Sequence, residues 1–338
     1  MNLTTHNPIT CPYVKSNMWY IEYLTNVYIA NCVLNGAFAM VAIVGNSIVL
    51  YAVYKTPTLH KPSTFLLCNL AITDLAVGLL VQPLYTAYKI TEMSGIQAFS
   101  CYSGLLVNMF ANLFSGMSFI TVTCICVDRY LALFLHLRYA TVVTSRRVFI
   151  VLMFLWVFSS LVVTFYPWKV SIAIGCGIVI VITCLTVSSL TFLKINSIVR
   201  KHKRQIRQAT AHNHTTSNLQ EFHLPKYLKS VFTIGYVHIL MFICYLPYML
   251  TLSSRLVVGI TKEYKLALNI TTTIIYINSA INPALHSFRV REFRAALLRV
   301  IGRKLDQNAY ISASIAKAPS SSEPRALCRL SFNPPLTK

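Results

Sequence analysis

The chain has 338 residues, 55% of them hydrophobic and only 12% charged, about half the charged share of an ordinary soluble domain. It carries 30 Lys and Arg against 9 Asp and Glu, a net charge of +21, and its mean hydropathy is +0.59. This composition excludes a typical soluble domain and makes the placement of the positive charge the first question. The 10 cysteines are spread singly, which argues against a zinc cluster. GxGxxG, GxxxxGK[ST] and HExxH are all absent, so the phosphate-cradling and zinc-protease patterns are missing.

Seven apolar runs are long enough to cross ~30 Å of hydrocarbon, which takes about 20 helical residues. Val27–Tyr54 carries no charge, and Pro62–Tyr88 carries one, Asp74. Tyr102–Val127 carries none and ends at Asp128-Arg129-Tyr130; Val148–Trp168, Val170–Leu193, Ser230–Ser254 and Leu266–Phe288 carry none. Membrane strands are shorter and alternate, so each run reads as a helix. The expected helices lie at about 27–54, 62–88, 102–135, 146–168, 170–200, 226–254 and 266–288. The fold class is an all-α membrane protein, a seven-transmembrane helix bundle. Met1–Glu22 lacks a basic start and an apolar stretch, so the first run is expected to act as its own signal anchor.

After the seventh run, Phe293, Leu297, Val300 and Ile301 share one helical face, with Arg291, Arg294, Arg299 and Arg303 elsewhere. The pattern predicts an amphipathic eighth helix over 289–304 on the inner leaflet. From Leu305 the composition turns to Ser, Pro and Ala, and 305–338 reads as a disordered tail. The segments after runs one, three, five and seven hold 24 Lys and Arg. The rest of the chain holds six: Lys15, Lys89, Lys169, Arg255, Lys262 and Lys265. The positive-inside rule puts residues 1–26 outside as a tail and the C-terminus in the cytosol. The positive excess is then a topology signal rather than a nucleic-acid surface. Asn2-Leu3-Thr4 fits the glycosylation pattern on the outer tail.

Polar groups inside a membrane cost several kcal/mol unless partnered. Asp74 is the only carboxylate within a run. Two readings stay open: a protonated side chain bonded to a neighbouring helix, or a cation site completed by Asn46, Ser118, Asn278 and Asn282, whose oxygens suit a hard cation such as sodium. Asp128-Arg129-Tyr130 is by spacing an interfacial ion pair. Pro247 and Pro283 remove backbone hydrogen bonds inside runs six and seven, giving kinks or hinges.

Taken in order, these residues resemble a class A, rhodopsin-like G-protein-coupled receptor. The matching pieces are Gly45-Asn46, Leu70-Ala71-Ile72-Thr73-Asp74, Asp128-Arg129-Tyr130, Trp156, Cys244-Tyr245-Leu246-Pro247, and Asn282-Pro283 followed by Phe288 and Phe293. The stretch from Asp128 through Leu137-Arg138-Tyr139, with the almost absent second outer loop, is similar to the melanocortin and adenosine receptor group.

The resemblance implies G-protein coupling through Asp128, Arg129, Tyr130 and Leu137, a sodium site of Asp74, Ser118, Asn278 and Asn282, and an outward swing of helix 6 about Pro247. It implies a heterotrimeric G protein as partner, arrestin and receptor kinases acting on the tail, a plasma-membrane location, and no enzymatic activity. No cofactor is expected beyond an allosteric sodium ion. The activation switch maps to Met241, Tyr245, Pro247, Pro283, His286 and Phe192, with departures: tyrosine for the family tryptophan at Tyr245, methionine for phenylalanine at Met241, and Phe192 and His286 for two tyrosines. The family proline of helix 5 falls at Cys184. The family's outer disulfide has no partner in the second loop, which leaves a Cys11–Cys101 bridge as the expectation.

The resemblance places the ligand pocket among Gln82, Tyr85, Asn108, Ala111, Asn112, Ser115, Cys176, Tyr245, Tyr248, Thr272 and Tyr276. Ala111 stands where amine receptors carry aspartate, and Tyr276 where opsins carry the retinal lysine. The pocket therefore reads as uncharged and suited to a neutral or lipid-like small molecule or a peptide. The outer rim is mildly basic. The alternative class is a seven-helix transporter or proton-conducting protein, but internal repeats with paired broken helices are not found.

Overall fold

The computed structural model describes residues 20–56, 61–135, 138–212 and 224–289, without the side chains of 202–203, 205–234, 237 and 285–289. Its long helices are α1 (Ile21–Lys55), α2 (Pro62–Met93), α3 (Gln97–Leu135), α4 (Ser145–Thr164), α5 (Val170–His212), α6 (Leu224–Val257) and α7 (Lys262–Arg289). A single helical turn, Tyr139–Val142, sits between α3 and α4. The fold is an all-helical seven-helix bundle. Among the described residues six helices are long and apolar enough to cross a membrane. The seventh, α7, has spanning length but lines its buried side with Asn269, Thr271, Thr273, Asn278 and Asn282.

Exposure runs opposite to that of a soluble protein. Phe154, Val157 and Leu161 on α4 and Val179, Ile182 and Leu193 on α5 are exposed, whereas Asn35, Asn46, Asp74 and Gln82 are buried. Outward apolar groups meet lipid, and inward polar groups find partners on neighbouring helices. α3 is the central strut, packing on α2, α4 and α5, while α1 packs on α2 and α7 and α6 joins α5 to α7. The core around it includes Leu70, Met117, Phe119, Tyr245 and Tyr276.

The helices outrun their apolar stretches. α1 starts at Ile21 rather than 27, so part of the expected outer tail is helical. α2 reaches Met93 rather than 88, and α5 reaches His212 rather than 200. Apolarity marks the hydrocarbon boundary, whereas backbone hydrogen bonding continues into water. α4 instead stops early, at Thr164 rather than 168. Pro167 disfavours helical geometry at the residue before it. Gly95 and Gly259 take positive φ after α2 and α6, a left-handed stop that glycine adopts without Cβ strain. The eighth helix and the tail lie outside the described residues.

Two prolines shape the interior. Pro83 has no N–H to continue the helix of α2, and the turn before it, Val77–Val81, widens into a single-turn π-helix, a rare form that occurs mostly as such bulges inside α-helices. Pro283 leaves the carbonyl four residues earlier, Ser279 O, without its helical donor. Asn46 Nδ2 of α1 donates to that oxygen at 3.1 Å. Gly45 beside it permits the approach, since a Cβ there would lie 3.0 Å from Pro283 Cγ.

Candidate functional site

Near the C-terminal end of α3, Arg129 Nη2 lies 2.9 Å from Asp128 Oδ2. The Tyr139 hydroxyl donates to the other oxygen, Oδ1. Asp128 is buried, and Arg129 is about one-third exposed. Burial first, then the hydrogen bond to Asp128 and its charge, push the Tyr139 phenol above its ordinary value. It therefore stays a donor at physiological pH. Tyr130 stacks on Phe134 at 5.5 Å. Leu137 lies outside the described residues.

At mid-depth, Ser118 Oγ donates to Asp74 Oδ1 at 2.9 Å and Asn282 Nδ2 to Oδ2 at 2.7 Å. Asp74 is fully buried, and Asn278 is buried nearby in the bundle. Among the described residues no cationic side chain lies within ion-pair distance of Asp74. The donor set, one buried carboxylate without a countercharge and one hydroxyl against it, fits a hard monovalent cation. Beside it, Trp156 Nε1 donates to Asn69 Oδ1, and Asn69 Nδ2 donates to Thr121 Oγ1, both at 2.8 Å. These bonds clamp α2, α3 and α4.

Above Asp74, Tyr245 stacks on Phe119 with ring centroids 3.9 Å apart; Met241 is buried one turn below. Phe192 stacks on His238 at 5.3 Å, and Gly235 makes room for its ring. Pro247 and Pro283 lie inside α6 and α7. The side chain of His286 lies outside the described residues.

A cavity of about 220 Å³ opens between the C-terminal part of α2 and the N-terminal part of α7, far more than the ~15 Å³ one water needs. Its wall includes Tyr85, Asn108, Ala111, Asn112, Ser115, Tyr245, Tyr248, Thr272 and Tyr276. Asn108 and Asn112 donate their amides back to Gly104 O and Asn108 O, and the Ser115 hydroxyl is buried with no hydrogen-bond partner among the described residues. Gln82 and Cys176 do not line it. Gln82 is turned toward α1, donating to Asn35 Oδ1 at 3.4 Å, because the π turn rotates α2 beyond the phase of a regular helix.

The wall is not uncharged. It includes Lys89, Glu92, Arg255 and Lys265, so an uncharged pocket holds only for the inner half. Glu92 binds Lys89 at 3.0 Å and Lys265 at 3.1 Å, all three nearly buried. Lys89 Nζ also lies over the rings of Tyr28 and Tyr88, at 4.3 and 4.6 Å, and Tyr85 donates to Asn269 Oδ1 at 2.8 Å. In sequence only the i,i+3 spacing of Lys89 and Glu92 hinted at this cluster; Lys265 is supplied by a helix 173 residues further on.

Cys101 is disulfide-bonded, whereas Cys32, Cys68, Cys124, Cys176, Cys184 and Cys244 are free thiols. Cys11, like Asn2, lies outside the described residues.

Comparison with known proteins agrees with this architecture. The sequence model of the seven-transmembrane receptors of the rhodopsin family matches residues 45–167. Adenosine receptor A3 of Bos taurus is 38% identical over 121 residues, covering 36% of this chain and 37% of that receptor. The chain thus matches little more than a third of that relative's length. The crystal structure of squid rhodopsin superposes with a TM-score of 0.68 over 88% of this chain and 93% of that one, at 17% identity, a likeness of fold. Over residues 45–167 the chain is thus similar to the rhodopsin family of seven-transmembrane receptors, and its apolar helices in a rhodopsin-like bundle are those of a multi-pass membrane protein.

Proposed function

We propose that the chain is a plasma-membrane receptor, N-terminus outside, that binds a lipid-like small molecule in the outer cavity and activates heterotrimeric G proteins. The observation that carries this reading is the span of α3. Ser115 stands in the cavity wall, and Arg129 stands 14 residues further along the same helix, about 21 Å at 1.5 Å per residue. One rigid element thus joins a solute-sized cavity to a cation at the inner face. Pro247 lies in α6 two residues after Tyr245, the ring stacked on Phe119 of α3. An agonist that displaces that stack favours an outward swing of α6 by binding one conformer better. Sodium, where bound, would be held by Asp74 and Ser118 and favour the resting conformer. Receptor kinases and arrestin would act on the C-terminal tail.

The test is nucleotide exchange on purified heterotrimers of each class by the full-length receptor in lipid nanodiscs. Basal or lipid-stimulated exchange that is lost in Arg129→Ala supports the reading. Exchange equal to empty nanodiscs across all classes overturns it.

A further inference from the structure

The cavity mouth carries a cation with no carboxylate countercharge among the described residues. Arg255, near the outer end of α6, lines the cavity and is half-buried. The carboxylates on the outer side of the bundle are Glu22, Glu92 and Glu263, and all three are among the described residues. Glu92 is taken by Lys89 and Lys265, and among the described residues no carboxylate lies within ion-pair distance of Arg255. A guanidinium cannot shed its proton, so it stays charged in a wall that is otherwise mostly apolar and aromatic.

Two phenols accompany it. Arg255 stands within electrostatic reach of Tyr166, from the short α4–α5 connection, and of Tyr264, from the first turn of α7. Both tyrosines are more than nine-tenths buried and both line the cavity. The Tyr264 hydroxyl makes no hydrogen bond of good geometry among the described residues. Arg255 lies within hydrogen-bonding reach of both phenol oxygens, so the guanidinium has phenols but no carboxylate beside it, and the Tyr264 O–H proton still lacks a well-aligned acceptor among the described residues, which is costly for a buried donor. With Lys89 and Lys265 outnumbering Glu92, the whole mouth carries an excess of positive charge. Below it the wall turns apolar, with Val107, Ile120 and Val181.

We propose that this cavity is specific for a small organic anion with an apolar body: a carboxylate, sulfate or phosphate head held by Arg255 and the Tyr264 hydroxyl, and a tail reaching down toward Tyr245. The proposal rests on the receptor reading only for its consequence; binding stands by itself. A planar guanidinium offers paired N–H donors to such a head, and its position on α6, eight residues beyond Pro247, ties head-group capture to the helix that would move.

The test is affinity-selection mass spectrometry on the full-length receptor in neutral-lipid nanodiscs. An equimolar mixture of octanoate, decanoate, 4-phenylbutyrate and the matching alkyl sulfates and phosphates competes with amides and amines of the same skeletons, with empty nanodiscs subtracted. The expected result is retention of the anions over their neutral partners by about tenfold or more, the size one charge-assisted hydrogen-bond pair carries. Arg255→Gln removes that preference, Arg255→Lys keeps part of it, and Tyr264→Phe lowers it several-fold, all at unchanged thermal melting. Equal or better retention of amides or amines, an anion preference untouched by Arg255→Gln, or no retention of any anion overturns the proposal. Basal nucleotide exchange on the same preparations separates the two failures. Anion retention without exchange keeps the site and sinks the receptor reading; exchange without anion preference does the reverse.

Discussion

Tyr139 and Arg129 hold opposite oxygens of one buried carboxylate, Asp128, the tyrosine by a donated hydrogen bond and the arginine at 2.9 Å. The α3–α4 connection and the C-terminal end of α3 are therefore tied at a single group, and each partner helps to hold the carboxylate in place for the other.

Tyr139→Phe removes a hydrogen bond to a charged group, worth about 1.5 kcal/mol, or roughly tenfold in a two-state ratio. Basal nucleotide exchange should rise several-fold, and Arg129→Ala should abolish it with surface expression largely kept. Surface labelling alongside an exchange assay checks both. Unchanged exchange in both variants would leave the triad a purely structural contact.

Asp74 has no countercharge among its described neighbours. Sodium should lower basal exchange in the wild type, with potassium as control. Asp74→Asn keeps the hydrogen bonding from Ser118 at least in part but loses the charge, so its exchange should not respond to sodium. Equal sodium sensitivity in both proteins would reduce Asp74 to a hydrogen-bonded anchor.

Cys101 is disulfide-bonded, whereas Cys32 and Cys176, the two other described cysteines in the same half of the bundle, are free thiols. Peptide mapping of the intact receptor without reductant should recover Cys11 linked to Cys101. Cys101→Ser should lower thermal stability by about 2–4 kcal/mol, the usual worth of a disulfide. Alkylatable thiols at both positions in folded receptor would exclude the bridge.

Trp156→Phe leaves Asn69 Oδ1 unpaired between α2 and α4. An unsatisfied buried acceptor costs about 1–3 kcal/mol, so the melting temperature in detergent should fall by several degrees while Asp74-dependent sodium sensitivity persists. Asn69→Ala should cost at least as much, because it strands the Trp156 indole N–H and removes the bond to Thr121 as well.

Phe192 packs on His238 and faces Gly235, and has no hydroxyl to bridge toward α7. Phe192→Tyr combined with His286→Tyr should raise basal exchange about five-fold, the effect of about 1 kcal/mol on a two-state ratio. Each single change should do less than half as much, since both hydroxyls are needed for one water-mediated bridge. Additive effects at matched expression would place the switch in other contacts.

The helices, their order and their polar landmarks were legible in the sequence because membrane physics is one-dimensional at that level. About 20 apolar residues span the bilayer wherever they sit, and a lone Asp74 or a proline inside such a run stands out at once. The residues Tyr85, Asn108, Asn112, Ser115, Tyr248, Thr272 and Tyr276 could be placed in one wall from the resemblance alone. Only the tertiary structure decided what closes that wall and how it is charged. The π turn before Pro83 changed the phase of α2, turning Gln82 toward Asn35 and leaving Lys89 and Glu92 at the cavity. The pairing of Glu92 with Lys265, and the isolation of Arg255 beside Tyr166 and Tyr264, join residues from α2, α4–α5, α6 and α7. Charge pairing across helices depends on distances that no local pattern encodes, so the cations that reach the cavity wall resolve, once folded, into a Lys89–Glu92–Lys265 cluster and an Arg255 with no carboxylate in ion-pair distance among the described residues.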